Sequence, residues 1–167
     1  MKNLLLILLL TIAFQGQSQD YTYLENIKLK KKQSFIENEN TAIKAVDFLI
    51  NTPFNENNID RKDCSRFVIK YATKTPFISM TIDEAFMQVE KGNSGLITLF
   101  MGLWIKSAIN NKKESDKFHE EYAYTEIYKY SKNGNNISQT EIIKSLIAAG
   151  DKGQIKNWIK DLKKKYR

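Results

Sequence analysis

The run from Ser94 to Ile109, SGLITLFMGLWIKSAI, constrains the fold more than any other stretch, because its apolar residues occupy every face of a helix. A helix that is hydrophobic all round lies inside a protein or inside a bilayer. A membrane span needs about 20 apolar residues, and Lys106 interrupts this run before that length is reached. The run therefore predicts a buried central helix over about residues 94–110.

Segments with one apolar stripe each flank this run, as a central helix requires. The clearest helical spacing joins Val46 with Leu49, Phe67 with Tyr71, and Ile155 with Ile159 and Leu162. Almost no segment alternates with a period of two, so a β-sheet is disfavoured, and residues 77–82 are the one exception. We therefore predict an all-α protein, a single compact array of about six or seven helices around the central helix.

Capping and breaking residues predict several helix boundaries. Pro53 and Pro76 each follow a threonine and end a helix, since proline disfavours the α conformation in the residue before it. Capping boxes, in which two side chains satisfy free backbone N–H groups, are predicted at two helix starts. The predicted N-terminal capping residues are Asn40, Asp60, Thr81 with Glu84, Ser94, and Ser138 with Glu141.

The first residues have the pattern of a secretory signal peptide. Lys2 precedes an apolar run from Leu4 to Phe14, and the small residues Gly16 and Ser18 follow. This arrangement predicts a signal peptide over residues 1–18, cleaved after Ser18. A retained membrane anchor is the alternative, but the run is short for a full span. Export leads to the periplasm or the extracellular space, with no transmembrane span in the mature chain.

The remaining chain divides into an arm and a domain. Residues 19–39 show a poor apolar pattern and contain a lysine run at 30–32, which predicts a poorly defined N-terminal arm. Residues 40–167 carry the helical stripes and form one all-helical domain. The chain has a formal net charge of +7, which permits anionic partners. Export argues against nucleic acid as one of them.

No residue pattern predicts catalysis, a metal site or a cofactor. His119 lies in HEEYA, which lacks the second histidine of the H-E-x-x-H zinc motif, and its spacing places it at the edge of the core. Cys64 is the one cysteine, and its place on an apolar stripe favours a buried thiol over a nucleophile. Neighbouring carboxylates such as Glu120 and Glu121 point apart on a helix and form no acid–base pair.

The last helix supplies one candidate interaction surface. Its apolar face lies opposite the lysines Lys156, Lys160, Lys163 and Lys164. This face is suited to an anionic lipid or lipopolysaccharide of the cell envelope. The competing interpretation is that it is only the solvated side of a core helix, since charged faces opposite apolar stripes are common.

Tyr124 and Tyr128 form the second candidate surface. They lie one turn apart on a helix predicted over about residues 115–132, away from the stripe that contains Ile127 and Tyr130. Exposed tyrosines combine a large apolar ring with a hydroxyl and are enriched at interfaces. We predict that this pair recognises a protein or a glycan. The competing interpretation is that a second layer of the fold covers both rings.

The segment from Phe48 to Ala108 contains a helix, TPF, a polar turn, DRKDCSRF, KTPF and KGNSGLITLF, in that order. This order resembles small exported helical proteins of Gram-negative bacteria. The resemblance implies an all-helical exported domain and carries over no activity and no functional residue.

Together these patterns predict an exported, non-catalytic binding or interaction protein without a cofactor. Its partner is an unidentified protein or glycan, or an anionic surface of the envelope. The alternative is a hydrolase of the cell envelope, or a subunit accessory to such an enzyme.

Overall fold

The computed structural model describes residues 20–166, so the predicted signal peptide at 1–18 lies outside the described residues. The described part forms eight α-helices and no strand, which confirms the all-α class. The helices are α1 (Lys32–Glu37), α2 (Glu39–Asn51), α3 (Ile59–Lys74), α4 (Glu84–Glu90), α5 (Leu96–Asn110), α6 (Asp116–Lys132), α7 (Glu141–Asp151) and α8 (Ile155–Lys165), preceded by a 3-10 helix (Thr22–Asn26). Residues 77–82 are irregular rather than extended in a sheet.

The arm before α2 is ordered against the rest of the fold. Leu24 of the 3-10 helix and Phe35 of α1 are buried in the core. Two side chains of α3 hold the arm, because Tyr71 donates a hydrogen bond to the Phe35 carbonyl at 3.1 Å and Lys70 donates one to the Ile27 carbonyl at 2.5 Å. The helix α1 is therefore an element that the sequence pattern did not predict.

Helix α5 packs against α2, α3, α4 and α6. Its buried residues are Leu96, Thr98, Leu99, Phe100, Gly102, Leu103, Trp104, Ile105 and Ser107. Gly102 permits close packing with α2 and α3, since a Cβ atom there would lie 2.9 Å from a Val46 methyl group and 3.2 Å from a Val68 methyl group. These branched side chains have little freedom to move aside.

The corner between α2 and α3 is closed by a buried arginine. Arg61 Nη1 donates hydrogen bonds of 2.8 Å to the carbonyls of Leu49 and Thr52, which end α2. Its guanidinium also lies over the rings of Phe54 and Tyr130. Burial lowers the pKa of Arg61. A cation at a helix C-terminus is favourable because the carbonyl ends there carry partial negative charge.

The predicted capping residues differ from those in the structure by one or two positions. At these helices the side chains that accept backbone hydrogen bonds are Asn58 for α3, Asp83 for α4 and Thr140 for α7, whereas α2 follows Asn38 and α5 follows Gly95 in a left-handed conformation. The predictions at Asn40, Asp60, Thr81, Ser94 and Ser138 are therefore wrong. Polar residues cluster before each helix, and only the packed fold selects which of them adopts the capping conformation.

No described helix is long and apolar enough to cross a membrane.

Candidate ligand-binding groove

Helix α8 places the predicted lysines at the edge of a groove. Its apolar stripe, Ile155, Ile159 and Leu162, is buried against the fold, where α8 meets α4, α6 and α7. Three of the predicted lysines, at positions 156, 160 and 164, are exposed. The amphipathic pattern of this helix therefore predicted its orientation correctly.

Lys163 differs from the other three lysines because it lies in an internal ion-pair cluster. Its Nζ lies 3.0 Å from Asp83 Oδ2 and 2.5 Å from Glu120 Oε1. Burial alone would lower the pKa of Lys163, but the hydrogen bonds to Glu120 and Asp83 outweigh burial and raise it. Asp83 also caps α4 through the Phe86 N–H at 3.0 Å. Lys163 thus links α8 to α4 and α6 through ion pairs and is not a freely exposed cation.

The groove between α6 and α8, closed at one end by the start of α4, has a volume of about 1140 Å³. Hereafter this is the α6–α8 groove. Its lining residues are Thr81, Asp83, Ala85, Trp104, Asp116, Lys117, Glu120, Glu121, Lys156, Asn157, Ile159, Lys160, Lys163, Lys164 and Tyr166. This volume slightly exceeds the range of about 300–1,000 Å³ that is typical of small-molecule pockets, so the groove is large enough for a ligand.

Among the groove residues without an ion-pair partner in the described part of the chain, lysines outnumber carboxylates. Four lysines of the groove form no ion pair with a described carboxylate, and these are Lys117, Lys156, Lys160 and Lys164. Two carboxylates, those of Asp116 and Glu121, form no ion pair with a described cation. The carboxylates of Asp83 and Glu120 share the single positive charge of Lys163, so that the five lysines of the groove exceed its four carboxylates by one. The groove therefore offers net positive charge together with two free hydrogen-bond acceptors.

Trp104 lines the groove and carries a buried indole N–H group that has no hydrogen-bond partner among the described residues. The residue is 4% exposed and lines the groove, and no described residue accepts a hydrogen bond from its Nε1. A buried N–H group without a partner costs about 1–3 kcal/mol. The unpaired indole N–H is therefore an unfavourable feature of the wall on which the groove is built.

The prediction that Tyr124 lies on an exposed face is wrong. Its side chain is fully buried, and its ring contacts the rings of Phe86, Phe100 and Trp158 at 5.9, 5.2 and 5.7 Å between centroids. Burial raises the pKa of Tyr124 strongly. The physical reason is that α6 is covered by α5 on one side and by α7 and α8 on the other, so both of its apolar stripes are buried.

Tyr128 is half-buried and bonded within the fold. Its hydroxyl donates a hydrogen bond to Asp151 Oδ1 at 2.7 Å, and Lys132 Nζ lies 2.5 Å from the same oxygen. The ring covers Gly150, where a Cβ atom would lie 2.4 Å from a ring carbon. Tyr128 thus joins α6 to α7, and the structure does not bring it together with Tyr124 on one surface.

Ser107 and His119 form a buried polar pair between α5 and α6. Ser107 Oγ lies 2.9 Å from His119 Nδ1. Ser107 is 1% exposed and lies inside a helix, so a substrate has no path to its hydroxyl. A nucleophilic serine needs both a base and access to the reacting carbonyl. The pair accordingly does not favour the hydrolase alternative.

Cys64 is fully buried, and burial raises the pKa of its thiol to about 12. The thiolate is the reactive form of cysteine. We expect Cys64 to react with a thiol reagent at pH 8 far more slowly in the folded protein than in denaturant, as measured by absorbance. Equal rates in the two states would contradict its burial.

In the described residues no group of three histidine, cysteine or acidic side chains is placed to hold a metal ion.

Sequence reasoning found the lysine wall of the groove but missed its opposite wall. Asp116, Lys117, Glu120 and Glu121 follow the spacing i, i+1, i+4, i+5 and so share one face of α6. That spacing was visible in the sequence and could have identified a charged face. The position of Trp104 beneath it depends on how α5 and α6 cross, which the sequence pattern does not contain.

No protein-family model matches this chain, and neither a curated protein nor a solved structure shows a significant match to it.

Proposed function

We propose that the protein is an exported, non-catalytic binding protein whose α6–α8 groove holds an anionic glycan. The observation that carries the proposal is the set of four lysines without ion-pair partners among the described residues, lining a groove whose wall also includes the ring of Trp104. Charge complementarity draws an anionic ligand to such a groove and fixes its orientation.

A glycan suits both kinds of charge in the groove. Carboxylate or sulfate groups of an acidic sugar pair with Lys156, Lys160 and Lys164. Sugar hydroxyls can donate hydrogen bonds to the free carboxylates of Asp116 and Glu121, which would repel a ligand that carries only negative charge.

The shape of the site favours a chain segment over a membrane surface. The groove is concave, and the acidic side chains of α6 form one of its walls. A flat anionic surface of the envelope would contact the exposed lysines of α8 but would leave the groove unfilled. A protein partner with an acidic segment is the other ligand class that fits the lysines, and the experiment below separates the two.

The binding test uses a hexamer of galacturonic acid as the probe, titrated calorimetrically at low ionic strength. We expect binding that weakens as salt is added, because salt screens the exposed charges. The triple variant Lys156→Gln, Lys160→Gln, Lys164→Gln should bind about tenfold more weakly, as three exposed ion pairs of about 0.2–1 kcal/mol each are lost.

The matched control is Lys44→Gln, Lys74→Gln, Lys152→Gln. These three lysines are exposed and lie away from the groove, and the net charge changes by the same amount. An equal loss of affinity in both triple variants would contradict a groove site. If a glutamate hexamer binds at least as tightly as the galacturonate, the ligand is an acidic protein segment and the glycan proposal is wrong.

Export is supported by the pattern of the first residues and has its own test. A secreted product should begin at Gln19, because Gly16 and Ser18 are the small residues that a signal peptidase requires before the cleavage site. The intact mass of protein recovered from the periplasm or medium measures this directly. A product that retains Met1 would indicate an anchored protein.

We also propose that α5 is the central helix around which the others are arranged. Its contacts with four other helices and its all-round apolar sequence support this arrangement.

An accessory role beside an enzyme that acts on an acidic glycan would use the same α6–α8 groove.

A further inference from the structure

A second cavity lies between the end of α5, the start of α6 and the loop after α3. It has a volume of about 280 Å³. Ile36, Phe77 and Ile109 supply apolar walls, and His119 lines it as well. We call it the His119 cavity. His119 does not line the α6–α8 groove, and the two sites share one lining residue, Asp116 at the start of α6.

His119 brings an unused polar atom to this cavity. The residue is 4% exposed, and its Nδ1 is held by Ser107, which does not line the cavity. No hydrogen bond from the described residues reaches Nε2. Nε2 is therefore the ring nitrogen available to a ligand.

The hydrogen bond between Ser107 and His119 indicates which tautomer of the imidazole is present. His119 Nδ1 is the one hydrogen-bond partner that the described part of the chain offers to the buried Ser107 hydroxyl. A buried hydroxyl hydrogen without an acceptor is costly, so Ser107 donates to Nδ1. A neutral imidazole then carries its hydrogen on Nε2, which becomes a donor. A ligand in the cavity must offer an acceptor to it.

The charges at the rim limit the ligand further. Glu39 is paired with Lys112 at 2.8 Å, while Glu114 and Asp116 have no ion-pair partner among the described residues. Two free carboxylates disfavour an anionic ligand. A hydroxyl group fits best, because it accepts from Nε2 and donates to a carboxylate.

We propose that the His119 cavity binds a small neutral alcohol or phenol with an apolar body. A dry apolar cavity of about 150 Å³ is large enough for benzene, so a volume of about 280 Å³ holds an aromatic ring with a short substituent. The apolar body packs on Ile36 and Phe77, two large hydrophobic residues that are otherwise 46% and 52% exposed.

The test compares three probes that each carry one phenyl ring and one substituent, which are benzyl alcohol, toluene and benzoate. The chain contains a single histidine, so its imidazole resonances in an NMR spectrum are unambiguous. Benzyl alcohol should shift the His119 Nε2 resonance in a saturable way. Toluene and benzoate should each bind about tenfold more weakly, since one lacks the acceptor and the other is repelled by the rim.

A pair of surface variants tests the location. Ile36→Glu places a charge at the cavity and should weaken benzyl alcohol binding about tenfold. Ile69→Glu is the matched control, since Ile69 is 41% exposed and lies on α3 away from the cavity, and its affinity should stay unchanged. An unshifted His119 resonance, toluene binding as tightly as benzyl alcohol, or equal losses in both variants would overturn the proposal.

Discussion

Replacing Trp104 by alanine is expected to lower the free energy of unfolding by about 3–5 kcal/mol. The indole is almost completely buried, and its ring meets the Phe100 ring edge-on at 5.6 Å. Its removal leaves a cavity between α5 and the helices that cover it. Domains of this size typically have a stability of about 5–15 kcal/mol, so the variant should unfold at much lower urea concentration when followed by circular dichroism.

Phe118→Ala provides the control for this prediction. Phe118 is a large aromatic residue, but its side chain is partly exposed on α6. Its loss should therefore cost much less than that of Trp104. If the two variants lose the same small amount, Trp104 contacts solvent in the native protein and the proposed central position of α5 is wrong.

Replacing Tyr124 by alanine should also cost about 3–5 kcal/mol, because its fully buried ring fills the space between α4, α5 and α8. Tyr124→Phe, in contrast, should not lower the free energy of unfolding. No described residue hydrogen-bonds the Tyr124 hydroxyl, and removing a buried polar group without a partner is neutral or stabilising by about 1 kcal/mol.

The pair Tyr124→Ala and Tyr124→Phe separates ring burial from hydroxyl chemistry. Urea denaturation of both variants measures the two free-energy changes on the same scale. A small loss for Tyr124→Ala would mean that the ring is exposed and available to a partner. A large loss for Tyr124→Phe would mean that the hydroxyl has a partner in solution.

Much of the fold follows from the sequence because apolar spacing is a strong signal. The stripe that contains Phe67 and Tyr71, and the stripe that contains Ile159 and Leu162, were assigned to the correct helical faces and are buried. The all-α class follows from such stripes. Helix α1 was not predicted because its burial depends on Phe35 alone, and a helix of one or two turns carries too few residues for a periodic pattern.

The candidate site was harder to predict for a physical reason. Tyr124 was expected on the surface because a helix with one core stripe should leave its other face free, but α6 is covered on two sides. The Lys163 cluster joins residues from three separate helices. Sequence spacing reports neighbours on one helix, and it does not report which helices meet.

Arg61 shows the same limit at a buried charge. In the sequence it lies among Asp60, Asp63 and Arg66 and fits a solvated helix start with ion pairs. In the structure only its neighbour Arg66 pairs with Asp63, at 3.3 Å, whereas Arg61 turns inward to the carbonyls that end α2. Only the close approach of α2 and α3 brings those carbonyl acceptors within hydrogen-bond distance of Arg61.

The two indole N–H groups of the chain allow the groove proposal to be tested in one titration. Trp104 Nε1 has no partner among the described residues, whereas Trp158 Nε1 donates a hydrogen bond of 3.0 Å to Ser145 and acts as an internal reference. The chain contains only these two tryptophans, so an NMR spectrum shows two indole N–H signals.

The most direct measurement is therefore the response of these two signals to the galacturonic acid hexamer. We predict that the Trp104 signal moves in a saturable way, because Trp104 lines the groove, while the Trp158 signal stays in place. Binding that leaves the Trp104 signal unchanged, or moves only that of Trp158, would contradict the α6–α8 groove as the ligand site.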